Sequence, residues 1–206
     1  MLRIFRPSDD AIREFLARQA GKPWSYDLVG VTRDGPPPAR RGWNIDHERV
    51  LLGHGEPAFR AAAEAIARWQ MFPPQIAKLC WPDAPQTPGT IVGVLYWAAP
   101  CRLWLLFPAQ VVYQIDEQPE GAAPAARFGF AYGTVVGHPE AGEERFLVEW
   151  NRADDTVWYD LLAVSRPAHP LTWLGYPYTR WEQARFRRQS CAAMERAVAT
   201  GSGNDQ

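Results

Sequence analysis

One stretch of the chain alternates strictly between large aromatic and very small side chains, a pattern that few structures accept. The aromatic residues are Phe128, Phe130 and Tyr132, and the small residues between them are Gly129, Ala131 and Gly133. A period of two is that of a β-strand, whose successive side chains point to opposite faces. The stretch therefore predicts a strand with one aromatic face and one face almost without side chains.

A second alternating run follows closely and predicts that this strand belongs to a hairpin. From Glu143 to Trp150, apolar residues again occupy every second position. The glycines and the proline between the two runs favour a turn. We expect the tip of the hairpin to carry the titratable residues His138, Glu143 and Glu144.

The face formed by Gly129, Ala131 and Gly133 allows two interpretations. Glycine within a strand gives up packing and backbone entropy, so something approaches the strand closely there. Either a helix or strand packs on this face, or the face borders a ligand cavity that the missing side chains keep open. The two interpretations are compatible, because a helix can cover a cavity.

Length and composition indicate one domain without a general affinity for nucleic acid. A chain of 206 residues suits a single domain with a sizeable core. The formal net charge of -1 provides no overall basic footprint for nucleic acid. Ten Trp, nine Phe and seven Tyr favour a large core or an aromatic pocket. The three cysteines are far apart and form no Cys-x-x-Cys pair, which predicts neither a disulfide framework nor a zinc site.

The most membrane-like stretch, Ile91 to Tyr113, is better explained as two buried strands. Pro100, Arg102 and Pro108 interrupt it, whereas a spanning helix needs about 20 largely apolar residues. The N-terminal residues carry charges where a secretory signal would be apolar. We therefore expect no integral membrane span and a cytoplasmic location.

The rest of the chain predicts helices on either side of a run of strands. Ser8 can cap a first helix that ends at Gly21, and the residues from Lys22 to Asn44 predict an extended covering loop. A strand near His47, a helix from Pro57 to Trp69 and a short helix before Cys80 come next. Further strands are expected near Gly89–Trp97, Leu103–Asp116, Arg127–Val135, Glu143–Trp150 and Thr156–Arg166. These strands are joined by short connections, which predicts an antiparallel meander.

A long helix is predicted at the C-terminus. One of its faces carries Gln183, Phe186, Ser190, Ala193 and Ala197. Its other faces carry five arginines, which favour a solvated surface over a phosphate site.

This order of elements resembles the helix-grip fold of START domains, polyketide cyclases and the birch-pollen allergen type. The resemblance implies an α+β protein in which a curved antiparallel sheet wraps around the C-terminal helix and encloses an apolar cavity. Residues 1–45 would form an N-terminal helix and covering loop, and residues 46–200 the helix-grip-like domain. The expected ligand-binding residues are Phe128, Gly129, Phe130, Tyr132, Gly133, Tyr159, Gln183 and Phe186.

Several short motifs resemble those of a narrower family. They are Tyr26-x-x-Val29-Gly30, His47-x-Arg49, Leu52-Gly53-x-Gly55, Phe59 with Trp69 and Phe72, FGFAYGT, GHPEAGEERF, SRP, Gln183 and Phe186. Together they resemble the family named domain of unknown function nineteen-ninety, over about Tyr26 to Met194. Because that family carries no established activity, the resemblance implies kinship and leaves the chemistry open.

Most catalytic signatures are missing from the sequence. The available nucleophiles are Ser165, Cys80, Cys101 and Cys191. The available metal ligands are His47, His54, His138, Glu143 and Glu144. No Gly-x-Ser-x-Gly elbow accompanies the first set, and the second lacks the two-histidine helical spacing of common zinc enzymes. No phosphate-binding glycine loop is present either, so we expect no metal and no cofactor.

Acid–base chemistry is the strongest catalytic alternative. Glu143 and Glu144 are adjacent, so a strand points them to opposite faces and only one of them can face a cavity. The inward carboxyl would have a raised pKa and, near His138 or paired with Arg166, could act as a general acid or base. Alternatively, either carboxylate binds only turn amides or Arg166.

These observations lead to three hypotheses. The first is a domain that binds a small hydrophobic or amphipathic ligand in a cavity beneath the last helix. The second is an enzyme that uses a carboxylate–histidine pair in that cavity. The third is a protein–protein interaction module whose partner covers the aromatic surface.

Overall fold

One antiparallel sheet organises the chain, which we describe from a computed structural model for residues 1–81, 83–98, 102–118 and 125–201. The strands are β1 (Leu2–Arg3), β2 (Asn44–His54), β3 (Ala77–Leu79), β4 (Ile91–Ala98), β5 (Leu103–Glu117), β6 (Ala125–Thr134), β7 (Glu140–Asn151) and β8 (Thr156–Pro167). The helices are α1 (Asp9–Ala17), α2 (Gly55–Ala67), α3 (Pro170–Leu174) and α4 (Tyr176–Gly201). Within these residues, none of the helices combines the length and apolar character needed to span a membrane.

The sheet runs in the order β2-β8-β7-β6-β5-β4-β3, and β1 pairs with β5. Every pairing is antiparallel, and consecutive strands from β4 to β8 are neighbours, which confirms the predicted meander. The predicted hairpin corresponds to β6 and β7. Strand β2 is the exception to this sequential order, because it crosses to pair with β8 at the far edge.

The sheet is curved, and its concave face holds the main core. Helix α2 and the C-terminal half of α4 pack there against aromatic side chains of the central strands. The ring of Trp69 lies edge-on to Phe130 at a centroid distance of 4.6 Å. Met194 of α4 is completely buried in the same cluster. The aromatic side chains of the alternating stretch therefore form core, as their burial removes a large apolar area from water.

The convex face is covered by the N-terminal residues. Ser8 caps α1 by accepting a hydrogen bond from the Ala11 amide at 3.3 Å, as the sequence predicts. The buried α1 residues Ile12 and Leu16 pack on Leu95 and Leu106 of the β4–β5 pair. Residues 22–43, which we call the N-terminal strap, then cross the hairpin, where the Ser25 amide donates to the Thr134 carbonyl at 3.0 Å.

One predicted helix end and one predicted helix are wrong. Helix α1 ends at Ala17, and Gly21 lies in the turn that follows it. The short helix expected before Cys80 is instead strand β3, in which Ala77 lies opposite Tyr96 of β4. The open edge of β4 offers backbone hydrogen bonds to this short segment, and pairing with it satisfies groups that the sequence pattern assigns to a helix. The expected interruption at Pro100 lies outside the described residues.

The small-residue face of β6 lies on the convex side, where it is closely covered. A Cβ atom added at Gly133 would lie 2.1 Å from the hydroxyl oxygen of Tyr26, a strap residue. A Cβ added at Gly129 would lie 2.2 Å from the Phe146 carbonyl oxygen. Ala131 is completely buried in a small cluster with Tyr113. The expectation that this face opens into a cavity is therefore wrong, and the close-packing interpretation is right.

This contact predicts strong coupling between Gly133 and Tyr26. Gly133→Ala should lower the free energy of unfolding by about 1 to 3 kcal/mol, because the new methyl group displaces the Tyr26 ring. In a Tyr26→Ala background, the same substitution should have a much smaller effect, since the obstructing ring is gone. Urea unfolding of the four proteins measures this. If the two effects simply add, Tyr26 is not what excludes a side chain at Gly133.

Candidate functional site

A cavity of about 600 Å³ lies between the concave face and the N-terminal half of α4. Its apolar wall includes Phe72, Ile76, Val94, Leu105, Phe107, Ala109 and Phe186. Its polar lining includes Asp46, Tyr132, His138, Glu140, Glu144, Ser165, Gln183 and Arg187. The polar groups are concentrated on β2, β7, β8 and α4, whereas β4 and β5 contribute mainly apolar side chains.

The alternation of β7 places its acidic residues in this cavity. Glu140, Gly142 and Glu144 occupy every second position and face the concave side. Glu144 lies opposite Tyr132 of β6 and Ala163 of β8, and Gly142 lies opposite Ser165. The residues Glu140, Glu144 and Ser165 therefore lie close together on the same face of the sheet.

Each cavity carboxyl receives a hydrogen bond from a neutral side chain. The Tyr132 hydroxyl donates to Glu144 Oε2 at 2.6 Å. The Gln183 amide of α4 donates to Glu140 Oε1 at 2.7 Å. Among the ion pairs within 4 Å in the described part of the chain, none involves Glu140 or Glu144. The two acids therefore face an apolar space without a cation in contact.

This environment raises the pKa of both acids to about 7. For Glu140, burial is the main cause, and the neighbouring Glu144 carboxylate adds to it. For Glu144, burial again dominates and Asp46 adds to it, while the Tyr132 hydrogen bond and the Arg187 charge oppose it. Near neutral pH each carboxyl is thus poised to gain or lose a proton.

The arginines nearest the cavity are already bound to Asp46. Arg180 donates two hydrogen bonds to the Asp46 carboxylate at 2.5 and 2.7 Å. Arg187 lies 3.2 Å from the same carboxylate and 3.6 Å from Glu48. This network joins α4 to β2 across the cavity wall. It corrects the expectation that the α4 arginines form only a solvated face, because Arg187 is buried.

His138 lies at the cavity wall as a neutral imidazole. The Glu140 backbone amide donates to His138 Nδ1 at 3.0 Å, and the ring centroid lies 5.2 Å from that of Phe107. Burial lowers the His138 pKa to about 4, so the ring carries no charge at neutral pH.

Glu143 points to the opposite face and holds the N-terminal strap. Its carboxylate accepts hydrogen bonds from the Tyr26 hydroxyl at 2.8 Å, the Gly30 amide at 2.7 Å, and the amide and hydroxyl of Thr32 at 3.1 and 2.5 Å. Two residues further on, Arg145 donates to the Thr32 carbonyl at 2.8 Å and to Asp160 at 2.8 Å. Glu143 borders the cavity, but its carboxylate is bound by the strap on the opposite face, so Glu143 is a structural carboxylate.

Several other expected site residues lie away from the cavity. Phe130 and Tyr159 are completely buried in the core, and Phe128 packs against it. Gly129 and Gly133 lie on the convex face. Of the expected ligand-binding set, Tyr132, Gln183 and Phe186 line the cavity.

Arg166 and His47 take part in contacts on the convex side. The Arg166 guanidinium lies over the Trp43 ring at 4.8 Å, so Arg166 is not the partner of a cavity carboxylate. His47 Nε2 lies 2.8 Å from Asp160 Oδ2 and joins the network around Arg145. Among the residues that the structure describes, no three His, Cys, Asp or Glu side chains come together as metal ligands.

The possible nucleophiles have no activating partner among these groups. Burial raises the pKa of the Cys80 and Cys191 thiols to about 11, which disfavours the reactive thiolate. Ser165 lines the cavity, and its hydroxyl has no hydrogen-bond partner in the described part of the chain. Cys101 lies outside the described residues.

Sequence reasoning missed Glu140 and Asp46. The period of two that relates Glu144 to the aromatic positions of β7 also reaches Glu140, so extending the strand by three residues would have found it. Asp46 carried no comparable signal, because its partners Arg180 and Arg187 are more than a hundred residues away and meet it only in the folded sheet.

The curved antiparallel sheet, wrapped around a long C-terminal helix with a cavity between them, defines the protein as an α+β helix-grip protein. The chain belongs to the family described as Domain of unknown function (DUF1990), whose family model matches residues 25–193. Both the predicted fold and the predicted kinship are thereby confirmed.

The chain is also similar to individual relatives and to solved structures. The chain is 31% identical over 209 residues to a UPF0548 protein of Dictyostelium discoideum, a match that covers 95% of this chain and 94% of the relative. A solved structure of human STARD10 is similar with a TM-score of 0.44 at 10% identity, covering 98% of this chain and 85% of that one. Ara h 8.0201 is similar with a TM-score of 0.44 at 15% identity, covering 77% and 99%.

The raised carboxyl pKa values predict that acid stabilises the region around the cavity. Folded protein keeps a proton on Glu144 up to about pH 7, whereas the unfolded chain releases it near the ordinary value of 4.5. Between these values the folded state binds more protons, so stability falls as pH rises. Glu144→Gln should remove the part of this loss of unfolding free energy that Glu144 causes, on the order of 1 to 3 kcal/mol.

Urea unfolding between pH 4.5 and 8 measures this effect. The variant should gain stability relative to the unmodified protein as pH rises to about 7, and the gain should then level off. Glu64→Gln, at an exposed carboxyl on α2, is the matched control. Parallel pH profiles for Glu144→Gln and the unmodified protein would show that the Glu144 proton is not linked to folding.

Proposed function

We propose that the protein binds a small hydrophobic or amphipathic molecule in the cavity between the sheet and α4. The observation that carries this proposal is a space of about 600 Å³ with extended apolar walls and a few polar groups at one side. Ligand pockets typically enclose about 300 to 1,000 Å³ and have this division between apolar area and a small number of orienting polar groups.

The size of the cavity supports a ligand over imperfect packing. Protein interiors are close-packed, and voids larger than a water molecule are few. Large side chains elsewhere on the same face fill the space completely, since Phe130, Phe146 and Tyr159 are fully buried. The chain thus packs one end of the concave face tightly and leaves the other end open beneath α4.

The position of the cavity supports a ligand that enters between α4 and the β4–β5 pair. Leu2, Ala98 and Leu103 line one side of the cavity, and Gly175 and Thr179 line the side formed by the helices. Exposed apolar side chains occur next to both, including Leu2 on the strand side and Trp173 and Leu174 on α3.

Filling the cavity should abolish binding. Ala163→Phe places a ring on β8 between the positions of Asp46 and Glu144, where it occupies the ligand space. We expect the affinity for 1-octanol, measured by calorimetry, to fall at least about tenfold, while the melting temperature stays within a few degrees. Ala199→Phe, on an exposed turn of α4, is the matched control. Equal octanol affinity for both variants would overturn binding in this cavity.

A second candidate, an enzyme that uses the cavity acids, is favoured by the poised protons of Glu140 and Glu144. If the protein turns over a substrate and Glu144 is the general acid or base, Glu144→Gln should lower kcat by about 100- to 10,000-fold. Simple binding should change by less than about tenfold. Glu143→Gln is the informative comparison, because its effect should appear in thermal stability rather than in the chemical step.

A further inference from the structure

We propose that the ligand carries a protonated amine, which binds between Glu140 and Glu144 beside the hydroxyl of Ser165. This inference rests on the proposed function, because it names the chemical class of the molecule held in the same cavity. An apolar body would lie against the β4–β5 wall, and the ammonium group would lie against β7 and β8.

The charge of the polar side of the cavity favours a cationic ligand. From the sheet, Asp46, Glu140 and Glu144 contribute three carboxyls, whereas Arg180 and Arg187 of α4 contribute two guanidinium groups, and both of these contact Asp46. The further carboxyl of Glu182 on α4 lies 3.5 Å from Arg185. Glu140 and Glu144 are left with hydrogen bonds from neutral donors alone. A buried carboxylate is stabilised chiefly by a paired cation, and a ligand ammonium group would supply one.

The polar side chains of the site have unused hydrogen-bonding capacity. Each carboxylate has about four acceptor positions, and each has one side-chain donor here. The Ser165 Oγ atom is buried and makes no hydrogen bond in the described part of the chain. Buried polar groups in native proteins are normally satisfied. An ammonium group has three donors, which matches two carboxylates and one hydroxyl oxygen.

The two acids and the serine come from neighbouring positions on one face of the sheet. Ser165 lies opposite Gly142, the residue between the two acids on the concave face of β7. Gly142 contributes no side chain, and β8 packs closely against it, since an added Cβ would lie 2.2 Å from the Val164 carbonyl oxygen and 3.0 Å from the Ser165 Cβ. Ser165 therefore lies beside the gap that Gly142 leaves between the two acids of β7. The remaining titratable or charged residues that line the cavity are Asp46 from β2, Tyr96 from β4, Tyr132 from β6, His138 from the β6–β7 turn, Glu143 from β7, His169 before α3, and Tyr178, Glu182 and Arg187 from α4.

A ligand carboxylate is disfavoured by the same geometry. It would lie against two acids that lack cationic partners, while Arg180 and Arg187 are held by Asp46. A neutral alcohol fits the hydrogen bonds but leaves the charges of the acids without a partner. The three head groups therefore differ in expected affinity, with the amine first, the alcohol second and the carboxylate last.

The test compares octylamine, 1-octanol and octanoate, which share one apolar chain. An alkylamine stays protonated below about pH 10, like the lysine side chain. At pH 8 we expect octylamine to bind about 10- to 100-fold more tightly than octanol, the range expected for hydrogen bonds to charged groups. The preference should shrink toward pH 5, where the cavity acids hold their protons. Calorimetry gives all three dissociation constants.

Variants connect this preference to the proposed residues. In the double variant Glu140→Gln and Glu144→Gln, the affinity for octylamine should fall to the affinity of the same variant for octanol. An unchanged far-UV circular dichroism spectrum and a cooperative thermal transition show that the variant is folded. Ser165→Ala should weaken octylamine binding several-fold, with the same control.

The outcomes separate the two proposals. Equal binding of octylamine and octanol, or an amine preference that survives the double variant, overturns the amine inference and leaves cavity binding intact. Binding of none of the three probes, or octanol binding that Ala163→Phe does not weaken, overturns both.

Discussion

The two faces of the sheet depend on the hydrogen bonds that the buried carboxylate of Glu143 accepts. It accepts four hydrogen bonds from three strap residues, Tyr26, Gly30 and Thr32. A carboxylate in this position would be strongly unfavourable without these donors, because burial removes its hydration. Arg145 strengthens the same attachment through strap carbonyls and Asp160. The strap is thus fixed to the convex face, and it occupies the space above Gly133.

The same strand carries the cavity acids, because its side chains alternate. Glu143 and Arg145 on one face are locked by the strap, so the backbone that presents Glu140 and Glu144 on the other face is held from behind. Tyr132 and Gln183 then orient the two carboxyls within the cavity. The convex network therefore supports the site without entering it.

The electrostatics of the cavity follow from how its charges are divided. Asp46 takes both nearby arginines and joins β2 to α4, which closes one wall. Glu140 and Glu144 remain among apolar side chains without an ion pair, and burial raises their pKa values to about 7. Asp46 and its arginines are therefore a structural ion-pair network, whereas Glu140 and Glu144 are available to a ligand or a proton.

The sequence by itself determined the strands β2 and β4 to β8, the two unlike faces of β6 and the opposite directions of Glu143 and Glu144, because a period of two is local to a strand. It also indicated the order of elements that defines the helix-grip fold. Only the tertiary structure decided which face of β6 is inward, since alternation distinguishes two faces without saying what covers each. The same holds for β3, which depends on the edge of β4, and for Asp46, whose arginine partners lie far along the chain. Long-range contacts settled these points because burial and ion pairing depend on neighbours that the local pattern does not contain.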